Sequence, residues 1–555
     1  MIENLIEQAT VDLLSLEIDT KKDLDLAKRK IAKKYNISIL SNTKILEIIK
    51  NKESRVLGTK KKIKNLENIK KILRRRAIRT MSGVAPVAVL TKPFDCPGKC
   101  AYCPTEKNVP QSYLSNEPAV MRAIRCHYDP YIQVQDRLRA LEKNGHHPTK
   151  IEIIVIGGTW SVFPRKYKYW YIANCFAAAN DFRKNSKTKV PKQTKILDLK
   201  KFLKKEQTRN ENSKYQIIGL TLETRPDYID KKELIEMREL GCTRVEIGVQ
   251  AICDQILVKN KRGHGVAEIK EATALLRSYG FKITYHFMPG LPGSDLTKDL
   301  EMFTEIFENS AYRPDQIKFY PTVVTRGSLL YKWWRAGKYT PYTTEELSEL
   351  IAKCKKIVPR YVRIIRLIRD IPGESIIAGN LVTNLRQIIQ QKNIKCNCIR
   401  CREANIEDKI YKPKLIIENY PVSGGEEYFI SYENLERNLL YGFARLFLPK
   451  KKSISSIVGN KDICGDVGNK DICSPQVLNN AAIIRELHIY GELVPIGKNK
   501  KIQHAGLGKK LLEKCEEIAR INKYPQIAII SGVGVRNYYR KQRYRLRESY
   551  MVKNF

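Results

Sequence analysis

Between residues 85 and 370, short apolar runs alternate with amphipathic stretches. The runs at 87–91, 152–156, 217–222, 244–249, 282–287 and 316–320 are rich in β-branched residues, as strands buried on both faces are. The stretches between them carry helical periodicity. Tyr131, Val134, Leu138 and Leu141 recur at i, i+3, i+7 and i+10, and Gly145 stands just beyond as a stop. Six such repeats predict an α/β fold: a partial (β/α)6 barrel over residues 81–370, with its chemistry at the C-terminal strand ends. Residues 1–80 read as a helical region. Residues 183–214 break the rhythm and read as an inserted, mobile polar loop. Residues 371–425 read as a linker, and 426–555 as a second α/β module with strands at 427–431, 437–447, 483–490 and 526–531. A tandem duplication within that module, Gly459-Asn-Lys-Asp-Ile-Cys464 and Gly468-Asn-Lys-Asp-Ile-Cys473, reads as an expanded surface loop.

Composition narrows the class. A chain of 555 residues, 43% hydrophobic, supports two to four globular domains. No apolar run approaches the roughly 18 residues that span a membrane, and the start Met1-Ile-Glu-Asn-Leu-Ile-Glu-Gln lacks a signal peptide's pattern. The expectation is a cytoplasmic protein without a membrane partner. Lys and Arg number 101 against 59 Asp and Glu, a net charge of +42. Part of this excess reflects a Lys-, Ile- and Asn-rich composition. Its clustering points to a polyanion. Residues 59–79 hold ten Lys or Arg against one Glu, and 183–214 hold twelve against three acids. The first cluster reads as an RNA-contacting arm rather than a solvated helix face. The 14 cysteines group in ways that suggest metal rather than a secreted disulfide framework.

Three constellations carry chemistry. Cys96-Pro-Gly-Lys-Cys100-Ala-Tyr-Cys103 follows the first strand. Zinc loops usually pair two C-x2-C units across a longer gap. A lone C-x3-C-x2-C after a barrel's first strand instead suits a [4Fe–4S] cluster: Cys96, Cys100 and Cys103 hold three irons and leave the fourth open to S-adenosylmethionine (SAM), whose cleavage yields a 5′-deoxyadenosyl radical. Gly157, Gly158 and Thr159, at the next strand end, suit the methionine amino group of SAM. Glu246 and Gln250, further round the rim, suit its ribose or the ordering of the cavity, with an ordinary ion pair such as Glu223–Arg225 as the bland reading. The second constellation is Gln503-His504-Ala505-Gly506-Leu507-Gly508-Lys509. A Q-x-x-G-x-G turn opening an amphipathic helix presents free N–H groups to a pyrophosphate. A dinucleotide turn needs a different spacing, so this one is read as a coenzyme A turn. Downstream, Tyr538 and Tyr539 are placed to reach a thioester or else to pack in the core. The third is Cys396-Asn-Cys398-Ile-Arg-Cys401, which suits a structural zinc ion lacking an identified fourth ligand, or reduced thiols.

The chain resembles the catalytic subunit of the Elongator complex and its stand-alone bacterial and archaeal relatives. The resemblance covers nearly the whole sequence. It is carried by Arg79-Thr-Met-Ser-Gly-Val, Met121-Arg-Ala-Ile-Arg125, Tyr128-Asp-Pro-Tyr131, Thr221-Leu-Glu-Thr-Arg-Pro-Asp-Tyr228 and Cys242-Thr-Arg-Val-Glu-Ile-Gly-Val-Gln250, and further on by Arg262-Gly-His264, Arg485-Glu-Leu-His-Ile-Tyr-Gly491 and the stretch from Ser531 to Tyr539. It implies a radical SAM barrel followed by a GNAT-type acetyltransferase module. The implied activity is 5-carboxymethylation of the wobble uridine (U34) of tRNA, with acetyl-CoA as co-substrate and the anticodon stem-loop as partner. It also implies that Tyr538 and Tyr539 face the acetyl group, and that Lys92 contacts the acetyl donor. One departure stands out: Arg543 occupies a position where the family usually has Gly. Rival readings are a protein lysine acetyltransferase using the second module alone, a non-catalytic tRNA-binding scaffold, and a different radical SAM enzyme such as a methylthiotransferase. The oligomeric state stays open, a homodimer included.

Overall fold

The computed structural model describes residues 2–51, 60–74, 83–185, 187–382, 385–392, 394–404, 412–450, 475–490 and 506–555. Six strands match the apolar runs: β1 (Ala85–Leu90), β2 (Lys150–Ile156), β3 (Gln216–Thr224), β4 (Arg244–Gln250), β5 (Lys282–Phe287) and β6 (Gln316–Phe319). Then follow β7 (Val324–Thr325), β8 (Arg363–Arg366) and β9 (Ile376–Ala378). β1 to β6 pair in chain order, all parallel, and β8 adds a seventh parallel strand beside β6. β7 and β9 form a separate antiparallel ribbon. The sheet is therefore the expected partial barrel extended by one strand. β8 is short, and its Arg-Ile-Ile-Arg pattern gives little apolar signal. Helices pack on the sheet by apolar stripes; Tyr131, Val134, Leu138 and Leu141 are all buried on the helix Pro130–Lys143.

The segment 183–214 is not a structureless loop. It contains the helix Ile196–Asn210, which lies against the helix Arg165–Asp181. Leu199 and Leu203 are buried on its inner face, and Glu206, Gln207 and Asn210 complete that face as buried polar groups. The polar half of the stripe and the surrounding lysines mask the helical period in the sequence. Asn180 and Asn210 exchange hydrogen bonds with this packing: Asn180 Nδ2 donates to the Glu206 carbonyl at 2.9 Å, and Asn210 Nδ2 to Asn180 Oδ1 at 2.7 Å.

The second sheet comprises β10 (Lys414–Val422), β11 (Gly425–Glu433), β12 (Leu440–Pro449), β13 (Ala481–Ile489), β14 (Gln526–Ile529), β15 (Arg545–Arg547) and β16 (Tyr550–Asn554). Their spatial order is β10-β11-β12-β13-β14-β16-β15. β13 and β14 are parallel and the other neighbours antiparallel. The helix Leu507–Ile521 lies between β13 and β14 in the chain. β10 falls inside the stretch read as linker, so the second sheet begins earlier than 426; β10 alternates exposed and half-buried positions, as a strand with one wet face does. The duplication at 459–473 lies outside the described residues.

Residues 2–74 contribute the helices Ile2–Ser15, Lys21–Tyr35, Asn42–Asn51 and Lys60–Leu73. As the helical reading expects, they form helices, and these bury a core of their own that includes Leu13, Ile31, Ile45 and Ile69. Residues 75–82, the end of the basic run, lie outside the described residues. Among the described residues, no helix is long and apolar enough to cross a membrane. The barrel and the second module share a continuous core that runs from Val87 and Val245 to Phe443, Ala528 and Val552.

Candidate functional site

The loop after β1 is pinned from both sides. The Ala101 N–H donates to the Asn260 carbonyl at 3.0 Å, and the Ala101 carbonyl accepts from Leu330 N–H at 2.7 Å. Gly98 leaves room for Arg225: a Cβ there would lie 2.2 Å from Arg225 Nη1 and would push that guanidinium aside. Cys96 Sγ sits 3.7 Å from Thr159 Oγ1. Arg262, buried, donates Nη1 to Cys100 Sγ at 3.3 Å and Nη2 to the Gly248 carbonyl. A hydrogen bond from the Cys103 thiol, aided by the Arg262 charge, holds the Cys100 thiol down to about 4 against burial. Sharing that bond pushes the Cys103 thiol up.

All three thiols lie at the C-terminal strand ends and line one cavity of about 1300 Å³ that runs through the barrel, since Lys150, Arg244, Lys282 and Gln316, the first residues of their strands, line it too. Gly158 and Thr159 line it too, while Gly157 lies behind them: its φ is +127°, and a Cβ would meet Thr91 Oγ1 at 2.2 Å. Glu246 and Gln250 also line it. Burial would raise the Glu246 carboxyl, but the Lys318 ammonium and a 3.0 Å contact from His286 Nε2 hold it well below the usual range. Glu223 faces His286 Nδ1 at 3.5 Å and accepts from Tyr113 OH at 3.2 Å. It does not pair with Arg225, which forms a two-pronged bond to Asp227 at 2.9 and 2.7 Å. Gln250 Oε1 and Arg225 Nη1 are buried without a hydrogen-bond partner. Three thiols lining one cavity, a glycine-lined strand end and these unsatisfied polar atoms fit a [4Fe–4S] cluster with SAM beside it.

The opposite contributors to the lining belong to the second module. Gly506, Gly508, Lys509, Tyr538 and Tyr539 line the same cavity. Gly506 caps the helix Leu507–Ile521 in the left-handed region, φ +75°, with open space where a side chain would stand. A Cβ on Gly508 would lie 3.1 Å from Tyr538 OH, so the glycine lets that hydroxyl approach the helix N-terminus. Leu507 is buried in the core, and Gln503, His504 and Ala505 lie outside the described residues. The two tyrosines differ: Tyr538 is 38% exposed, Tyr539 is 6% exposed and packs within the module's core. Lys92 does not line the cavity; it is exposed, with Nζ over the Tyr167 ring at 5.2 Å.

Sequence reasoning passed over two partners. Lys318 pairs with Glu246 from two strands away, and Glu211 accepts from Arg536 at 3.3 Å and from Arg540 at 2.5 Å, clasping the turn that carries the tyrosines. Neither has a local motif. Elsewhere, the ligand atoms of Cys396, Cys398 and Cys401 lie within 4.8 Å of one another, with no fourth His, Cys, Asp or Glu joining them among the described residues.

The Radical SAM superfamily profile matches residues 93–305, and the Radical SAM C-terminal domain profile residues 314–395. The tRNA uridine(34) acetyltransferase of Dehalococcoides mccartyi (strain CBDB1) is 42% identical over 486 residues, covering 86% of this chain and 98% of that protein. Elongator complex protein 3 of Homo sapiens is 37% identical over 558 residues, covering 96% and 93%. The solved structure of archaeal Methanocaldococcus infernus Elp3 with an N-terminal deletion (1–46) superposes with a TM-score of 0.69 at 35% identity, covering 86% of this chain and all of that one. Membership of the Radical SAM superfamily implies a [4Fe–4S] cluster and SAM, which the thiol loop fits. Identity at this level, over nearly the full length of both chains and across both modules, places the chain in the Elongator complex protein 3 family.

Proposed function

We propose that the protein carboxymethylates C5 of the wobble uridine of tRNA, using acetyl-CoA as the carbon source. The observation that carries this reading is the single cavity: the Cys96–Cys100–Cys103 loop and the Gly506–Gly508 and Tyr538 wall open onto the same space. An acetyltransferase acting on amines has no use for the first, and a SAM-only enzyme none for the second. The names of the relatives, tRNA uridine(34) acetyltransferase among them, support the choice of substrate. A cluster on the three thiolates, with SAM beside it, supplies hydrogen abstraction by a radical. The chain's own residues do the rest. Arg262 and Arg225 surround the thiol loop with buried positive charge. Glu246, fixed as a carboxylate by Lys318 and His286, gives the wall a defined polarity. The helix N-terminus at Gly506 suits the pyrophosphate of acetyl-CoA, and the Tyr538 hydroxyl suits the thioester oxygen. The acetyl methyl carbon would join C5, with one hydrogen lost from the methyl group and one from C5; SAM, leaving as methionine and 5′-deoxyadenosine, would take up the two electrons, and water would cleave the thioester to leave the carboxymethyl group and free coenzyme A. The base is unstacked to enter, and basic surface holds the stem-loop. Cys396, Cys398 and Cys401 hold a structural zinc ion at the joint between the modules, where Ile399 N–H donates to the Val362 carbonyl at 2.9 Å and Ala404 N–H to Leu440 at 3.0 Å.

The test is reconstitution under anaerobic conditions. Metal analysis should return iron and zinc. SAM cleavage should rise with tRNA and acetyl-CoA together, and mass spectrometry of tRNA nucleosides should show carboxymethyluridine. The C96S/C100S/C103S variant should lose SAM cleavage and product while still binding tRNA. Acetylation of lysine peptides with tRNA left unchanged would overturn the reading in favour of the lysine acetyltransferase.

A further inference from the structure

The helix Ile196–Asn210 carries one exposed acid, Asp198, in its first turn; its other acid is buried. Its Glu206 turns inward: the carboxylate accepts from Asn180 Nδ2 at 2.8 Å and from Arg209 Nη1 at 3.1 Å. The next acid, Glu211, is spent on Arg536 and Arg540. Lys201, Lys204 and Lys205 turn outward and are exposed, and among the described residues no acid pairs with them. Like charges one turn apart, some 5–6 Å between Cβ atoms, destabilise a helix. A local penalty of this kind, kept without an internal counter-charge, marks a surface shaped for something else.

Those lysines line an open groove of about 1030 Å³, together with Lys184, Arg209 and Lys214. Thr208, Asn212 and Ser213 line the same groove; the Thr208 hydroxyl donates to the Lys204 carbonyl and the Ser213 hydroxyl to Asn180 Oδ1, so the donor this trio offers is the Asn212 amide. Its floor reaches the cavity wall: Asn537 Nδ2 donates to Asn212 Oδ1 at 2.9 Å and to the Glu211 carbonyl at 3.1 Å, and the next residue, Tyr538, lines the cavity. We propose that this groove is a docking surface for the phosphate backbone of the RNA whose base enters the cavity, with Lys201, Lys204 and Lys205 as its phosphate contacts. Ammonium groups supply the charge, and the Asn212 amide suits phosphate and sugar oxygens. Continuity with the cavity favours RNA over an acidic protein. The proposal rests on the reading of the cavity as an RNA-modifying site.

The test compares the full-length wild type with K201Q/K204Q/K205Q in binding fluorescent unmodified tRNA over a KCl series. Gln keeps helix propensity while removing charge. The variant should bind at least about tenfold more weakly, and its slope of log K against log salt should be shallower by about 2–3, as expected for three lost contacts at roughly 0.7–0.9 each. Wild-type affinity and slope in the variant overturn the groove while leaving the proposed function standing. A wild type that forms no modified nucleoside overturns the proposed function; its tRNA-binding difference from the variant still decides the groove. Loss of poly-glutamate binding with tRNA binding retained overturns the proposal in favour of an acidic protein partner. If thermal unfolding shows the variant misfolded, amine labelling of the wild type decides: protection of the three lysines by tRNA supports the surface, and equal reactivity overturns it.

Discussion

Arg262 sets a buried guanidinium against the Cys100 sulfur, donating to that thiol and to the Gly248 carbonyl. A fixed cation donating to a cluster ligand stabilises the more negative, reduced state of the bound cluster. Removing a charge-assisted bond is worth about 1.5–3 kcal/mol, which for one electron corresponds to about 60–130 mV. R262Q should therefore bind iron normally and shift the cluster's midpoint potential about 60–130 mV more negative in a redox titration followed by electron paramagnetic resonance. A wild-type potential in R262Q would show that Arg262 only shapes the loop. Arg543 is a second informative residue. At a position where the resemblance implies Gly, it adopts φ +66°. The left-handed conformation costs a non-glycine residue about 1–2 kcal/mol. The turn keeps its form regardless, because Tyr544 N–H donates to the Tyr539 carbonyl at 3.1 Å and Tyr544 OH to Glu516 at 2.8 Å. Tyr539 is thus held by packing that tolerates the substitution.

Elements meet across the two modules through glycine. The turn after β14 runs directly over β3: a Cβ on Gly532 would lie 2.0 Å from the Ile218 carbonyl oxygen, and one on Gly534 would lie 2.7 Å from Gln216 Cβ. At Gly532 the obstacle is backbone, which has no rotamer to change. Overpacking of this kind costs about 1–3 kcal/mol. G532A should lower chemical-denaturation stability by about that much and raise amide exchange along β3 and the Glu211 clasp; unaltered exchange at β3 would mean that the contact carries no load. The sequence pattern revealed the six barrel strands because each is a short apolar run closed by turn residues. It hid β8, whose two arginines flank only two apolar positions, and β10, whose one wet face weakens its signal. It hid the helix Ile196–Asn210, whose buried face is half polar. Both cysteine groups were legible because their members are close in sequence. The Glu211 clasp was not, since it joins Arg536 across 325 positions, and no local pattern records such a pairing.

At the scale of the whole molecule, a buried set of charges locks the barrel to the second module. Asp315, at the start of β6, receives Arg485 Nη1 at 3.1 Å and Nη2 at 2.5 Å, with Arg445 Nη1 at 3.4 Å. Arg485 also reaches Glu427 at 2.9 Å and the Phe281 carbonyl at 2.6 Å, and Glu486 bridges Arg445 at 3.0 Å and Lys282. Buried pairs of this sort add little over an apolar isostere, yet breaking one leaves an uncompensated charge. Burial would raise the Glu486 carboxyl, but the Lys282 and Arg445 charges bring it down from 4.5 to about 2. A carboxyl depressed on folding stabilises the folded state above its unfolded pKa, and that stabilisation is lost as pH falls through the folded value. For Glu486 the contribution is on the order of 3 kcal/mol above about pH 5, less than half of that by about pH 3, and nearly gone by about pH 2. In a chain of net charge +42, each carboxylate neutralised by acid also adds to self-repulsion. E486Q should therefore be less stable than wild type near neutrality by a few kcal/mol, and the two urea-unfolding curves should converge as pH is lowered from about 5 to about 2. A stability difference that stays constant across that range would show that Glu486 acts by shape and not by charge, and would remove the electrostatic account of how the two modules keep one cavity between them.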